Sequence, residues 1–385
     1  MSSLAPGRIL RPGATIGILG GGQLGRMMVL AGIPMGFEFA CLDPGGVASP
    51  CGQVAGHTVK APFDDLDAAA ELASSCDRIT YEFENVSPDV VSRLVDGGLM
   101  PQGAELLATS RHRLREKQAL QNAGFPVAPF ARVVDEESLN AAIEQVGLPA
   151  VLKTATGGYD GKGQAVVHTE AEALQALEDL GPRELVLEGF IPFEKELSVV
   201  VARSIHGDVE AFPVAENEHV DGILRVSIAP ARIPSSVAVT TVRTAERLAE
   251  ALGVVGVVGV EFFLLPDGSI VINEIAPRPH NSGHYTMDGC TTDQFEQHLR
   301  AICGWPLGNP GMHTPVVMAN LLGEEARRWG DEIDKIPAGL EVKTHLYGKA
   351  EARPGRKMGH INIVTEYVDQ ALEFLGDRGL RGAQR

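Results

Sequence analysis

Short apolar runs alternate with amphipathic segments along the first part of the chain. The apolar runs are rich in β-branched or aromatic residues and are predicted strands, and each is followed by a segment with helical spacing. We expect strands at 15–19, 37–42 and 77–82, and helices at 24–31, 64–75 and 88–95. Because repeated strand–helix–strand units build a parallel sheet covered by helices, this region is predicted to be α/β.

The pattern changes after a helix that is predicted to begin at Ser110, as its N-cap, and to end at Gly124. Prolines interrupt the next segment, and strands then outnumber helices, which is typical of an antiparallel α+β architecture. The predicted strands are 150–153, 164–168, 184–188, 196–202 and a pair within 257–275, and the predicted helices are 170–180 and 240–252.

Length, charge and cysteine content exclude several classes of protein. A chain of 385 residues is expected to hold two or three domains. Its formal net charge of −17 disfavours binding to nucleic acid or to an anionic membrane, so an anionic ligand needs locally clustered cations. No apolar run approaches the roughly 18–20 residues of a membrane span. The five cysteines form no CxxC pair and are expected to be reduced thiols of a cytoplasmic protein.

A glycine-rich turn follows the first predicted strand. Gly20-Gly-Gly-Gln-Leu-Gly25 fits the GxGxxG pattern, opens a helix and is followed by Asp43 at the end of the second strand, as in a dinucleotide-binding fingerprint. The free N–H groups of such a turn can hold any anion at a helix N-terminus. The turn alone leaves three interpretations open: an NAD site, a site for another phosphate or anion, and a purely structural turn.

A second glycine loop, Gly157-Gly-Tyr-Asp-Gly-Lys-Gly163, lies between two predicted strands. It is not a Walker P-loop, because no helix follows it and no Ser or Thr follows Lys162. Its backbone could close over a triphosphate, which Lys153 at the end of the preceding strand could also reach. The alternative is a flexible surface hairpin.

Two carboxylates flank the predicted turn Pro266-Asp-Gly-Ser269. Asp-Gly favours a two-residue hairpin turn, and this turn pairs position 266 with 269 and therefore Glu261 with Glu274. Facing like charges destabilise a hairpin unless they share a cation or a proton. With oxygen ligands only and Asn273 adjacent, the cation would be Mg²⁺ bridging to nucleotide phosphates. A register slip would instead leave both carboxylates in solvent.

Two further segments concentrate polar side chains. The loop Ala276-Pro-Arg-Pro-His-Asn-Ser-Gly-His284 contains two prolines and many hydrogen-bond donors, which suits a small oxyanion or a phosphorylated intermediate. Lys349, Arg353, Arg356 and Lys357 form a basic segment in an acidic chain. This segment is either a solvated patch or a clamp for a substrate phosphate.

The second glycine loop, Lys153 and the acidic pair beside Asn273 together resemble the ATP-grasp superfamily of carboxylate–amine ligases. The segments GGGQLGRM, YEFENV, GGYDGKGQ and NEIAPRPHNSGH more closely resemble the 5-(carboxyamino)imidazole ribonucleotide synthases of purine biosynthesis, over about residues 14–365. The resemblance implies an α/β and α+β chain in three parts: a pre-ATP-grasp βαβ domain with a parallel sheet at 1–110, an ATP-grasp domain at 111–305 with a mobile subdomain at about 126–192, and a small β-rich C-terminal domain at 306–385.

The resemblance also implies a reaction. ATP and bicarbonate would form carboxyphosphate, and 5-aminoimidazole ribonucleotide would be carboxylated on its amine, with ADP and phosphate as the other products. ATP, Mg²⁺, bicarbonate and the ribonucleotide would be the ligands. Neither nucleic acid nor a membrane would be a partner, and the chain would form a homodimer.

The same resemblance implies roles for individual residues. Glu261 and Glu274 would hold Mg²⁺. The ribonucleotide would be bound by Gln23, Leu24, Glu82, Lys349 and Arg356. The catalytic residues would be Tyr159, Asp160, Arg278, His280 and Asn281, with Asp160 as a candidate proton acceptor. The nucleotide would be bound by Arg113, Lys153, Gly158, Tyr159, Asp160, Gly161, Lys162, Gly163, Gln164, Glu188, Gly189, Phe190, Ile191, Glu196, His219, Asn273 and Glu274.

Other functions stay open at this point. An NAD-dependent oxidoreductase would explain the first glycine turn and Asp43, but not the second loop or the acidic pair. A sister ATP-grasp ligase, such as a formate-using glycinamide ribonucleotide transformylase or a biotin carboxylase, would share the ATP site, but the loop at 276–284 and the chain length argue against it. A non-catalytic nucleotide-binding module would need no such loop.

Overall fold

Strands and helices alternate at the start of the chain, as the sequence pattern predicts, except that an additional, unpredicted strand at 57–59 follows the second strand without an α-helix between them. The computed structural model describes residues 8–158, 161–337 and 339–382. The first elements are β1 (Thr15–Leu19), α1 (Gln23–Gly32), β2 (Glu38–Leu42), β3 (His57–Val59), α2 (Leu66–Ser74), β4 (Arg78–Tyr81) and α3 (Pro88–Asp96). The four strands form a parallel sheet in the order β3–β2–β1–β4, which confirms the predicted α/β class of this region.

The predicted helix from Ser110 to Gly124 is wrong at its start. Ser110 ends a short helix, α4 (Glu105–Ser110), and a separate helix, α5 (Arg113–Asn122), follows. The Ser110 hydroxyl donates back to the Leu107 carbonyl at 3.2 Å, so it caps nothing downstream. The first N–H of α5, on Arg113, instead donates to the Ala155 carbonyl at 2.9 Å. The beginning of α5 is therefore anchored beside the second glycine loop.

A small antiparallel sheet carries that glycine loop. Its strands are β5 (Phe130–Val133), β6 (Ala150–Thr154), β7 (Gln164–Val167) and β8 (Leu185–Gly189), in the order β5–β8–β6–β7. The helices α6 (Glu136–Val146) and α7 (Glu170–Leu180) pack on one face. Because side chains alternate along a strand, the other face is left to present Val151, Lys153 and Glu188. The loop lies at the tip of the β6–β7 hairpin, between two strands as predicted.

The third sheet has nine antiparallel strands in the described ranges. Its elements begin with β9 (Lys195–Arg203), β10 (Val209–Ala211), β11 (Ala215–Val220), β12 (Ile223–Ala229), α8 (Ser235–Ala251), β13 (Gly256–Leu264) and β14 (Ile270–Ala276). They continue with α9 (Thr286–Gly289), α10 (Gln294–Cys303), β15 (Val316–Leu322), α11 (Glu325–Trp329), β16 (Glu341–Leu346), β17 (Lys357–Val364) and α12 (Val368–Asp377). The strand order is β14–β13–β9–β11–β12–β15–β17–β16, and β10 pairs with β9.

The C-terminal strands extend this sheet instead of forming a sheet of their own. β15 pairs with β12, and Ile228 of β12 shares a buried core with Leu372 and Leu375 of α12. At the other end, α10 packs against α1 of the first sheet. The three predicted domains thus share cores, and their boundaries at 110 and 305 stay predictions.

All five cysteines are free thiols, and only Cys76 is not fully buried. Within the described ranges, no helix is both long enough and apolar enough to cross a membrane.

Arg225 ties the central sheet to the C-terminal helices, because it makes two 3.0 Å hydrogen bonds to Glu325. Arg225→Met should lower the free energy of unfolding by about 2–3 kcal/mol, since it leaves a mostly buried carboxylate without its partner. Arg327→Met is the matched control, because it breaks an exposed pair with Glu324 and should cost under about 0.5 kcal/mol. Urea unfolding measures both losses, and equal losses would contradict the prediction.

Candidate active site

One cavity of about 590 Å³ lies where the three sheets meet. Its walls bring together most of the residues that were expected to bind ligands, although they come from all parts of the chain. These lining residues are Gln23, Leu24, Glu82, Arg113, Lys153, Gly158, Gly161, Gln164, Glu188, Gly189, Phe190, Ile191, Glu196, His219, Glu261, Asn273, Glu274, Arg278, His280 and Asn281.

Six predicted site residues are not among the described residues that line the cavity. Tyr159 and Asp160 fall outside the described residues. Lys162 and Gly163 lie at the base of the second glycine loop, where the Gly163 carbonyl accepts the Thr154 N–H at 2.8 Å. Lys349 and Arg356 belong to the connection between β16 and β17, and the residue that lines the cavity at the end of this connection is Lys357.

Glu261 pairs with Glu274, as predicted, but the predicted two-residue turn is wrong. The Leu265 N–H donates to the Ser269 carbonyl at 2.9 Å, so the loop contains three residues and the register moves by one. A β-bulge then moves it back, because Phe262 pairs with residue 272 and leaves Asn273 as the extra residue. The facing carboxylates therefore result from two register shifts that cancel.

The bulge also decides where Asn273 points. In a regular strand Asn273 and Glu274 would face opposite sides of the sheet. Here both line the cavity together with Glu261, and Asn273 Nδ2 lies 3.5 Å from Glu261 Oε2. Three side chains that carry oxygen acceptors thus converge on one wall.

The two carboxylates differ in their electrostatic environment. Burial, and next the charge of Glu274, raise the pKa of Glu261 to about 7. Burial also acts to raise the pKa of Glu274, but Arg113, at 3.2 Å, and Lys153 hold it below its usual range. The less compensated charge is therefore that of Glu261, although His219 and Asn273 act to lower its pKa, and an added cation would stabilise it most.

Buried cations lie beside this pair. Lys153 donates to Glu188 Oε2 at 2.9 Å, and the Lys117 ammonium lies 3.4 Å from the same oxygen. Burial acts to raise the pKa of Glu188, but the two ammonium groups bring it down to about 2. The other oxygen, Glu188 Oε1, is buried and has no hydrogen-bond partner among the described residues. This wall supplies the local positive charge that an anionic ligand of so acidic a chain requires.

The second glycine loop packs on the turn between β11 and β12. Gly161 has a φ of +74°, and a Cβ there would approach the Asp221 carbonyl oxygen to 3.0 Å. Next to this turn, His219 Nδ1 is hydrogen-bonded to Glu196. Burial acts to lower the pKa of His219, but Glu196 raises it above its usual value. The loop thus forms one side of the cavity and requires glycine where it touches the neighbouring turn.

The loop after β14 presents the predicted oxyanion-binding residues. Arg278 is held by Glu84, whose carboxylate lies 2.8 Å from its Nε. Both amide atoms of Asn281 are buried at the cavity wall and have no hydrogen-bond partner among the described residues. Because buried polar groups are normally paired, an unpaired amide beside a cavity indicates a ligand site.

His280 is fixed by its own loop. Its backbone N–H donates to Gln294 Oε1 at 2.8 Å, and its ring Nδ1 lies 2.8 Å from the Ser282 hydroxyl. The remaining ring nitrogen, Nε2, lies 3.5 Å from Glu261 Oε1. Burial, and then the charges of Arg278 and other nearby cations, keep the pKa of His280 well below its usual value. A neutral imidazole therefore faces the cavity.

The N–H groups of the first glycine turn are occupied by the protein's own carboxylates. Gly22 and Gly25 both donate to Glu82, the latter at 2.8 Å, and Gly21 donates to Asp43 at 2.8 Å. The anion at this helix N-terminus is thus internal. This finding favours the structural interpretation of the turn and gives Asp43 a role other than binding a ribose.

The structure divides the basic segment. Arg353 is exposed and pairs with a glutamate two residues away, as expected of a solvated patch. Arg356 donates to a backbone carbonyl of its own loop at 3.0 Å. The Lys349 ammonium donates to the Lys357 carbonyl at 2.6 Å. Burial raises the pKa of Glu82, and Lys349 is among the groups that lower it, so Lys349 lies near the cavity.

Three charged residues of the site were not singled out from the sequence: Glu84, Glu116 and Lys117. Glu84 lies within the segment YEFENV, which carries part of the family resemblance, but the sequence did not predict its ion pair with Arg278. Glu116 and Lys117 are nearly fully buried in a helix of mostly polar sequence. The available signal was their spacing from buried Leu120, which places them on its face of α5.

The donor set at the acidic pair fits a hard divalent cation. Mg²⁺ binds oxygen ligands and usually takes one or two carboxylates, with phosphate oxygens and water completing its shell. Glu261, Glu274 and the Asn273 amide oxygen can provide such a partial set. The described part of the chain contains no group of three or more His, Cys, Asp or Glu side chains that could hold a metal ion. The wall therefore suits an ion that arrives with a nucleotide.

Three family models match the chain. The ATP-grasp domain matches residues 118–295, and the ribonucleotide synthetase preATP-grasp domain matches residues 13–107. The phosphoribosylaminoimidazole carboxylase C-terminal domain matches residues 316–373. The matches follow one another along the chain in the order that the resemblance implies.

Whole-length relatives give a sharper comparison. The N5-carboxyaminoimidazole ribonucleotide synthase of Bacillus subtilis is 46% identical over 96% of this chain and 97% of its own length. A structure of an N5-carboxyaminoimidazole ribonucleotide synthetase in complex with ADP superposes with a TM-score of 0.93 at 48% identity, covering 97% of this chain and 98% of that chain. The Aspergillus clavatus synthase in complex with ADP and 5-aminoimidazole ribonucleotide superposes with a TM-score of 0.89 at 32% identity, covering 95% and 98%.

Because Glu82 and Asp43 occupy the N–H groups of the first glycine turn, NADH should not bind there. A fluorescence titration with NADH should give no saturable signal in the micromolar range, whereas ADP should compete with a fluorescent adenine nucleotide at the central cavity. Saturable micromolar binding of NADH that ADP does not displace would contradict the prediction.

Proposed function

We propose which ligand each part of the central cavity binds, starting from one premise. The chain belongs to the N5-carboxyaminoimidazole ribonucleotide synthase family of ATP-grasp ligases. It catalyses the ATP-dependent carboxylation of 5-aminoimidazole ribonucleotide in purine biosynthesis. The observation that carries the residue assignments is the convergence of three kinds of group on one cavity. These are paired carboxylates, buried cations, and an amide without a hydrogen-bond partner in the described part of the chain.

The nucleotide would lie between the small antiparallel sheet and the central sheet. Lys153 and Arg113 would bind its phosphates, under the backbone of the loop from Gly158 to Gln164. The segment 188–191 and the pair Glu196–His219 would hold the nucleoside. The environment of Lys153 supports this proposal. Burial lowers the pKa of its ammonium group, and its carboxylate partner, Glu188, is shared with Lys117.

Glu261 and Glu274, with Asn273 beside them, would hold Mg²⁺. When bound, the ion supplies positive charge to the phosphates during phosphoryl transfer. The protein's own contribution is to keep both carboxylates at one wall before any ligand arrives. Arg113 does this for Glu274 through their 3.2 Å contact, and Asn273 lies beside Glu261.

Bicarbonate would be phosphorylated beside the loop after β14. It is a poor electrophile, and phosphorylation to carboxyphosphate gives it a good leaving group. Arg278, His280 and Asn281 would hold its oxygens, since the guanidinium and the unpaired amide offer donors where negative charge collects. Carboxyphosphate decomposes in water, so the second glycine loop would have to exclude solvent.

The ribonucleotide would bind on the side of the first sheet. Gln23, Leu24 and Glu82 line that side, and Lys349 and Arg356 would neutralise the ribonucleotide phosphate. The exocyclic amine would attack the CO₂ that carboxyphosphate releases and would then lose a proton. Tyr159 and Asp160 lie outside the described residues, so their catalytic roles, including that of Asp160 as proton acceptor, rest on the family resemblance.

We also propose a cytoplasmic location, because the substrate ATP is intracellular and the five thiols are unpaired. The homodimer that the resemblance implies stays a prediction.

Phosphate release from ATP tests the function and its metal site together. Release should depend on bicarbonate and on aminoimidazole ribonucleotide. Glu274→Gln and Glu261→Gln should each lower the Mg²⁺-dependent rate by about 100-fold or more. Each variant removes a charged oxygen that would hold the Mg²⁺ ion, and the ion would stabilise the charge on the phosphates during transfer. Wild-type activity of either variant at limiting Mg²⁺ would show that the metal site is wrong.

Thermal unfolding without ligands separates the two carboxylates. At pH 8, above its folded-state pKa of about 7, Glu261 is mostly ionised, and burial and the charge of Glu274 make this ionised form unfavourable in the folded protein, so Glu261→Gln should raise the melting temperature. Glu274→Gln should not raise it, because it leaves Arg113 without a partner carboxylate at 3.2 Å. Equal shifts for the two variants would contradict this asymmetry.

Lys349→Met tests the phosphate clamp. The variant should raise KM for the ribonucleotide by about 10- to 100-fold, since a charge-assisted hydrogen bond is lost, and should leave KM for ATP nearly unchanged. Arg353→Met is the matched control, because Arg353 is exposed and paired outside the cavity. Steady-state kinetics that show equal damage to both KM values would place Lys349 outside the ribonucleotide site.

A further inference from the structure

Two buried ionisable residues of α5 bind the backbone on both sides of Glu274. Lys117 donates from Nζ to the Asn273 carbonyl at 2.7 Å, and Glu116 Oε1 accepts the Ile275 N–H at 2.9 Å. Lys117 is only 2% exposed and Glu116 only 4%. Burying two ionisable side chains is unfavourable unless their contacts compensate for it. Their placement against two backbone groups therefore requires a structural or functional reason.

The backbone that they bind is at the edge of a sheet. β14 is the terminal strand of the nine-stranded sheet, so alternate N–H and carbonyl groups point away from it. The bulge adds a further problem, because the extra residue Asn273 has no partner on β13. Lys117 supplies a donor to this unpaired residue, and Glu116 supplies an acceptor to the outer edge just beyond it.

Arg113 completes the arrangement. It lies three and four residues before the other two, so all three side chains project from one face of α5. Its guanidinium contacts the Glu274 side chain at 3.2 Å. One rigid helix face thus fixes the carbonyl before Glu274, the carboxylate of Glu274 and the N–H after it.

We infer that Glu116 and Lys117 are positioning residues, which hold the bulge so that Glu261, Asn273 and Glu274 point at one cation. The inference rests on the metal site of the proposed function and adds the residues that keep it in shape. The register alone cannot do so, because a one-residue slip turns every following side chain to the opposite face. With the three-residue loop and no bulge, Glu261 would face Asn273, and Glu274 would leave the cavity.

Lys117 has one competing role. Its ammonium also lies 3.4 Å from Glu188. In the competing role, Lys117 would act only through Glu188 on the nucleotide side of the cavity and would not position the bulge. The two roles make different predictions. A residue that positions the bulge affects the coupling between Mg²⁺ and nucleotide, whereas a residue that acts through Glu188 affects nucleotide affinity without the metal.

Two substitutions of Glu116 isolate its hydrogen bond. Glu116→Gln keeps an acceptor for the Ile275 N–H, and Glu116→Leu removes it at similar volume. Calorimetry gives ADP affinity with and without Mg²⁺, and the ratio is the readout. Glu116→Leu should lower this ratio about 10-fold, as loss of a ligand-supporting contact does, while Glu116→Gln should keep it within about threefold. Metal-free ADP affinity should stay near wild type in both.

If the circular dichroism spectrum shows that Glu116→Leu is unfolded, a second variant, Lys117→Met, tests the inference. Lys117→Met should raise the Mg²⁺ concentration for half-maximal rate about 10-fold, speed hydrogen exchange of the amides at 273–275, and leave KM for the ribonucleotide unchanged. Arg115→Met is the matched control, because it removes the same charge from the exposed side of the same helix. The control should match wild type in all three measurements.

Glu274→Gln is the reference for the metal site itself. If it removes the Mg²⁺ enhancement of ADP binding while Glu116→Leu and Lys117→Met keep it, the positioning role is wrong and the metal site stands. If Glu274→Gln keeps the enhancement, the metal site is wrong, and the positioning role fails with it. If Lys117→Met weakens metal-free ADP binding and leaves the enhancement intact, Lys117 acts through Glu188 and the inference fails for that residue.

Discussion

A single extra residue in an edge strand determines the geometry of the cavity. The loop between β13 and β14 would by itself pair Glu261 with Asn273. The bulge restores the pairing of Glu261 with Glu274 and lets Asn273 share their face. Bulges interrupt the hydrogen-bond ladder, so this one depends on support from outside the strand. The buried side chains of Glu116 and Lys117 in α5 give that support through hydrogen bonds, and the start of α5 is anchored in turn at Ala155.

Buried cations beside this strand explain how a chain of net charge −17 can bind anionic ligands. Lys117 and Lys153 are buried next to Glu188, and Arg113 next to Glu274, so each cation already has a carboxylate partner. Such pairs make burial of the cations tolerable in the absence of ligand. They also set up the exchange of partners that the proposed function requires, in which a metal ion would bind Glu274 while phosphates would bind Arg113 and Lys153. Local pairing thus matters more to this cavity than the overall charge.

Local patterns predicted the parts of the fold that local forces determine. The alternation of strands and helices in the first sheet and the hairpin position of the second glycine loop follow from periodicity, and both are confirmed. The turn at 266–269 was wrong because Asp-Gly also fits a three-residue loop, and no sequence signal marks the compensating bulge. The sequence did not predict the roles of Glu116 and Lys117, because a buried ionisable residue in a mostly polar helix has the same sequence pattern as an exposed one. The roles of Lys349 and Arg356 were expected from the basic segment and from the family resemblance, and they stay predictions.

The two glycine loops show why a phosphate-binding motif does not identify its own ligand. Glycine-rich turns of both kinds can bind anions through backbone N–H groups, and the first has the better fit to a dinucleotide fingerprint. Its N–H groups are nevertheless satisfied by Glu82, which lies 60 residues away from Gly22 along the chain. A carboxylate at a helix N-terminus gains the same stabilisation that a phosphate would, and it does so without losing the freedom of a separate molecule. The first turn therefore fixes Gln23 and Leu24 at the cavity wall, and phosphate binding is left to the loop that no internal carboxylate fills among the described residues.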